Sequence, residues 1–265
     1  MNPLDVYVRA WLESATSINA LLSTLDESAW SMSTDCPGWT VKDIVAHLAH
    51  LENELVTGEA GTADPLVTDM LSSYTEAGVD ARRGHTADVL CSQFADAVAV
   101  REQKLQTLPD DPQSPAPVTP GGISWSWDTL LRNRAIDVWV HEQDIRRAVG
   151  KPGGLDSAGA HVTTTTFKMA MPFVIGKKVR PAPGATVGWH VTGAVPFDLL
   201  VAVGEDGRAK AVESIDGEPQ AMLTMSSESF TVLGAGRRAA DQLDVTIDGD
   251  HELATAVLSS MAVTF

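Results

Sequence analysis

Apolar residues recur with a helical period up to "GKPGG", residues 150–154, and in short β-branched runs separated by Gly, Asp and Pro beyond it. A chain that changes period at a Gly/Pro turn is neither one bundle nor one sheet. The expected fold class is therefore a helical N-terminal domain, residues 1–155, followed by a smaller α+β domain, residues 156–265. At 265 residues, 44% of them apolar, the chain has enough material for two cores.

Four helices are expected before the break. Asn2-Pro3 reads as an N-cap with proline at the first helical position, ahead of Val6, Leu12, Ile18, Leu21, Leu22 and Leu25 at helical spacing. Thr40 caps a second helix with Asp43 as a capping-box partner, and Val41, Ile44, Val45, Leu48, Leu51 and Leu55 form its apolar stripe. Residues 57–85, rich in Gly, Ala and Asp, read as a loop with room for one helical turn. A third helix spans Thr86 to about Leu108 through Leu90, Phe94, Ala97, Val98 and Leu105. The prolines of "PDDPQSPAPVTPGG" then exclude helix and central strand. A fourth helix runs from about Asp128 to Gly150, with Arg146 and Arg147 at its negative dipole end. Four such helices suggest an antiparallel bundle.

Beyond the break, residues 156–174 suggest one more helix, although "HVTTTTF" is poor helix material. "ATVGWHV", "FDLLVAV", "AKAVES", "AMLTM" and "LDVTI" read as strands, with short helices after Ser226 and after Asp250.

Composition narrows the function. A formal net charge of −16 argues against a nucleic-acid partner, which needs clustered Lys and Arg. No apolar run approaches membrane-spanning length, and "MNPLDVYVRAWLES" lacks the basic and apolar regions of a signal peptide. Cys36 and Cys91 are the only cysteines, so no disulfide framework is implied; neither has neighbours that would activate a thiol. A cytoplasmic monomer or homodimer acting on a small molecule is expected. "GAGRR", residues 234–238, lacks phosphate-loop spacing.

The fourth helix carries "DVWVHEQD", residues 137–144, in an otherwise apolar setting. Asp137 and His141 are four apart and stack on one face, with Asp144 three residues beyond. The second helix offers His47 and His50, with Glu54 one turn past His50. Bundles build metal sites from inward side chains on facing helices, and two imidazoles with one carboxylate form a common catalytic zinc set that leaves a fourth position open. Spacing alone leaves a second reading open, in which the histidines are hydrogen-bonded core residues and the aspartates are solvated. Trp39 and Trp139 read as core, and Trp125 and Trp127 as core or cleft wall.

"PGWTVKDIVAHLAHLE", followed about ninety residues later by "DVWVHEQDIRRAVG", resembles the mycothiol-dependent maleylpyruvate isomerase family, part of the wider DinB-like four-helix group. The tail from Ala221 to Leu258 is similar to that family's sterol-carrier-protein-like C-terminal domain. The resemblance implies a zinc or other divalent metal held by His47 rather than His50, by His141, and by Asp137 at a position where the family carries glutamate. His50 and Glu54 then become a pair that is either structural or supports the metal ligands from behind. Asp144 either orients a liganding imidazole or pairs with Arg146 or Arg147.

The resemblance further implies mycothiol as thiol cosubstrate. Its sulfur adds to the cis double bond of maleylpyruvate, the new single bond rotates, and elimination gives the trans product. In a transferase version the thioether is released. Arg237, with Arg238 beside it, is the candidate cation for the substrate carboxylates if the C-terminal domain folds over the bundle mouth. The alternatives are a zinc hydrolase using a metal-bound water and a non-catalytic protein holding a metal or small ligand.

Overall fold

The computed structural model describes residues 2–59 and 70–264. A first compact unit extends to Val162 and a second runs from Thr163 to Thr264.

The first unit is helical. Its long helices are α1 (Asp5–Leu22), α2 (Val41–Thr57), α4 (Ala87–Lys104) and α5 (Trp127–Ala148), with a shorter α3 (Met70–Asp80) between α2 and α4. α1 packs on α5 and α2 on α4, and α2 also touches α5, which closes a four-helix core. Apolar stripes explain this packing. Val41, Ile44, Val45 and Leu48 of α2 are fully buried, as are Leu90 and Phe94 of α4 and Val138 and Ile145 of α5. Burying one such side chain is worth roughly 1.5–3 kcal/mol.

The helix starts follow local chemistry. Thr40 accepts from the Asp43 backbone N–H while the Asp43 carboxylate accepts from that of Thr40, so both bonds of the capping box are present. Ser126 and Thr86 cap α5 and α4 with their side-chain oxygens, which accept from the backbone N–H groups of Thr129 and Val89. Asn2 is a correction. It caps a turn by accepting from Leu4 N–H at 3.0 Å, and α1 begins only at Asp5.

α3 is a larger correction, because a loop was expected over most of its length. Its composition gives a weak helical signal, but Gly78 and Val79 are buried and the helix packs along α2. Tertiary contact here overrides propensity. Residues 60–69 of the expected loop lie outside the described residues.

α6 (Ala158–Phe173) begins in the first unit and ends in the second; it forms despite its run of threonines and closes in a wide turn at Val174–Val179. The second unit then adds β1 (Thr186–Thr192), β2 (Phe197–Val203), β3 (Ala209–Val212), β4 (Ala221–Ser226), α7 (Ser227–Gly234), β5 (Val245–Gly249) and α8 (His251–Ser260). The sheet order is β3-β2-β1-β4-β5, antiparallel except for the β1–β4 pair. Val187, Trp189 and Val191 of β1 and Ala221, Leu223 and Met225 of β4 alternate into the buried face, which α7 and α8 help to cover. The α+β reading of this half is met. No helix of the described residues is long and apolar enough to cross a membrane.

Candidate metal centre

α2 and α5 bring His47, Asp137 and His141 together across the bundle, with one ligand atom of each within 4.8 Å of the others. Asp137 lies between the two imidazoles. His47 Nε2 is 3.3 Å from Asp137 Oδ2, and His141 Nε2 is 3.5 Å from Oδ1. Donors around a tetrahedral zinc with bonds of roughly 2.0–2.1 Å stand about 3.3 Å apart, and each imidazole Nε2 lies close to that distance from one oxygen of Asp137. Asp137 reaches the site although it is one methylene shorter than glutamate.

The electrostatics put His47 and Asp137 in their liganding forms. Burial pushes the His47 pKa down, outweighing the pull of Asp137, so the imidazole keeps a free lone pair. Burial alone would raise the Asp137 pKa, but Arg134, His47 and His141 together hold it well below the usual carboxylate range. A neutral imidazole and an ionised carboxylate are what a metal requires.

His141 is oriented from behind. Its Nδ1 lies 3.1 Å from Asp144 Oδ2, and Asp144 Oδ1 accepts from Arg147 Nη2 at 2.7 Å. Arg147 Nε in turn donates to Asp35 at 2.6 Å. The two sequence readings of Asp144 are thus both realised in one fully buried carboxylate. A carboxylate on the far nitrogen fixes the imidazole's orientation and tautomer. His47 differs: its Nδ1 is buried and makes no hydrogen bond among the described residues.

Trp39 is also a correction. It is half-buried rather than core, with its ring 5.1 Å from that of His47 and 5.9 Å from that of His141, and its Nε1 donates to Glu76. It forms an aromatic wall beside the two imidazoles. Trp139 is buried as expected, and Trp125 and Trp127 are half-buried.

His50 takes no part in this cluster. It sits 3.6 Å from Glu54, beside Tyr74, under the Cα of Gly78 and against Arg82, whose Nη1 is 3.0 Å from His50 Nδ1. Burial first, then Arg82, pushes its pKa down to about 4. Arg237 follows α7 in the second unit, half-buried, with Nη1 donating to the Ala235 carbonyl. Burial and Asp88 raise the Cys91 pKa, in keeping with an inert thiol.

Sequence reasoning missed the ions behind Asp137. Arg134 donates to Asp137 Oδ2 and to Glu52 Oε1, each at 2.7 Å, and Glu52 also receives Arg101 and the Trp11 indole N–H. An arginine one turn before Asp137 was the available signal, but Glu52 and Arg101 become its neighbours only on folding.

Fold and site together define a helical bundle with a candidate divalent-metal centre of two imidazoles and one carboxylate, joined to a small α+β domain. Residues 11–146, just over half the chain, match the mycothiol maleylpyruvate isomerase N-terminal domain family, and the chain belongs to it. Two solved structures share the fold over 93% of both chains at 17% identity. One is a crystal structure of the mycothiol-dependent maleylpyruvate isomerase (TM-score 0.58), the other a histidine-to-alanine variant of it (TM-score 0.57). No curated protein matches the chain by sequence.

Proposed function

We propose that this protein is a metal-dependent, mycothiol-using isomerase or S-transferase acting on an electrophilic small molecule of the maleylpyruvate type, with His47, Asp137 and His141 as its metal ligands and zinc as the metal. The observation that supports this most is the meeting of those three side chains, from two helices, in a chain of this family.

A divalent metal held there supplies Lewis acidity that ionises a thiol near neutral pH. Three protein ligands would leave a dication a position for the cosubstrate sulfur, and with two imidazoles and one carboxylate it would keep one net positive charge, suited to an anionic sulfur. His141, fixed by Asp144, and Asp137, fixed by Arg134, hold that position still. The Trp39 ring stands beside both imidazoles. In the isomerase reaction the thiol sulfur adds to one alkene carbon and the C=C bond becomes single. Rotation follows, and elimination restores the double bond in the trans form together with the free thiol. In the transferase reaction the carbanionic carbon takes up a proton and the thioether leaves.

The test mixes zinc-loaded protein with mycothiol and maleylpyruvate and follows cis-to-trans conversion and thioether formation. Turnover that needs both metal and thiol supports the reading. Ester or amide hydrolysis without thiol would replace it with a zinc hydrolase. Ligand binding with no turnover would leave a non-catalytic binding protein.

A further inference from the structure

Asp137 is the most exposed of the three candidate ligands, at 30% of its side-chain surface against 4% for His47 and 5% for His141. A short, half-open carboxylate would ordinarily turn towards water. What holds it is a run of alternating charges through the bundle: Arg101, Glu52, Arg134 and Asp137, in contact in that order. Glu52 is fully buried, and the side chains of Arg101 and Arg134 are within a few percent of it. The Arg134 guanidinium uses Nη1 on Asp137 Oδ2 while Nη2 and Nε both address Glu52 Oε1, at 2.7 and 3.2 Å. A planar fork gripped by one carboxylate presents its remaining N–H to the other in a fixed direction. Glu52 in turn cannot swing, because Arg101 and Trp11 Nε1 occupy its two oxygens.

We propose that Arg134 is a positioning residue for the metal centre, holding the Asp137 carboxylate through Oδ2 in the rotamer that faces both imidazoles. The inference rests on the reading that His47, Asp137 and His141 bind a metal. Arg134 touches neither metal nor substrate. It acts by fixing one rotamer of a ligand and by drawing charge off it, while Glu52 and Arg101 keep the guanidinium buried, paired and still. Burial of a paired charge chain is weak evidence for stability, because the desolvation cost offsets much of the attraction, and a role in orientation explains its presence better.

The test measures the zinc dissociation constant of the full chain by competition with a chelator, and the visible absorption of the cobalt(II)-loaded protein. Arg134→Gln, Arg134→Lys and the core variant Phe94→Leu are compared with wild type. Loss of a residue that orients a ligand typically weakens metal binding roughly 10–100-fold, and Arg134→Gln is expected in that range with altered cobalt bands. Arg134→Lys keeps the charge but not the fork and should fall between. Phe94→Leu should lower the melting temperature and leave both metal readouts unchanged. Arginine variants that bind zinc as tightly as wild type, with the same cobalt spectrum, would overturn the proposal. If Arg134→Gln does not fold, Arg134→Lys decides, and failure of both to fold would assign Arg134 to bundle stability instead. A wild-type chain that takes up no metal would overturn the metal reading itself, which is a different result from wild-type uptake unaffected by Arg134.

Discussion

α2 carries two histidines three residues apart, and the bundle treats them oppositely. His47 meets Asp137 and His141 on α5, while His50 meets Arg82 and the backbone of Gly78. Each has a carboxylate nearby and each is largely buried. What separates them is the neighbour that the next helix supplies. A second imidazole with an ionised aspartate gathers three donor groups of the kind that hold a cation, whereas a guanidinium 3.0 Å from the ring nitrogen repels one. A histidine and a carboxylate at helical spacing are therefore no more than half of a metal site, and the facing helix decides which half is completed.

The largest effect that sharpens this contrast is expected at Asp137. Asp137→Ala should weaken zinc binding by more than the roughly 10–100-fold that loss of an outer-shell residue costs, whereas Asp137→Glu should stay near wild type. Chelator competition on the two variants checks it, and a wild-type affinity for Asp137→Ala would move the third ligand elsewhere. Next comes Gly78→Ala. A methyl at that position runs into the His50 ring, so the fold should lose roughly 1–3 kcal/mol while zinc affinity stays unchanged. Urea unfolding of the apoprotein beside a zinc titration separates the two readouts.

The smallest effect concerns acid. His50 has a folded pKa of about 4 against an ordinary 6.5, so the unfolded chain takes up its proton first as pH falls. Its contribution to stability is fully present above about pH 6.5 and is lost progressively between 6.5 and 4. His50→Phe should therefore show a shallower loss of stability over that window than wild type, and equal slopes would contradict the burial and Arg82 environment described for it.

Much of this architecture was legible beforehand. The Thr40–Asp43 capping box and the five β-branched runs act through neighbours in sequence, and each appears where it was expected. α3 was not legible, because its helix is stabilised by Gly78 fitting over His50, a contact between segments about thirty residues apart. Asn2 as N-cap lies two residues too early, since proline with asparagine signals a tight turn as well as a helix start. At the centre, the one-turn spacing of Asp137 and His141 was visible, and so was Asp144. The choice of His47 over His50 came from family resemblance, since both present the same local pattern. Arg134, Glu52 and Arg101 went unread because charged residues in a helix ordinarily face solvent, and only the packing of α2, α4 and α5 buries these three against one another.

The central claim is that α2 and α5 hold one divalent metal through His47 and not through His50. Zinc content of the purified, folded wild-type, His47→Ala and His50→Ala proteins tests it most directly. About one zinc per chain is expected in wild type and in His50→Ala, and little or none in His47→Ala. Full zinc in His47→Ala, or equal loss in both variants, would contradict the account.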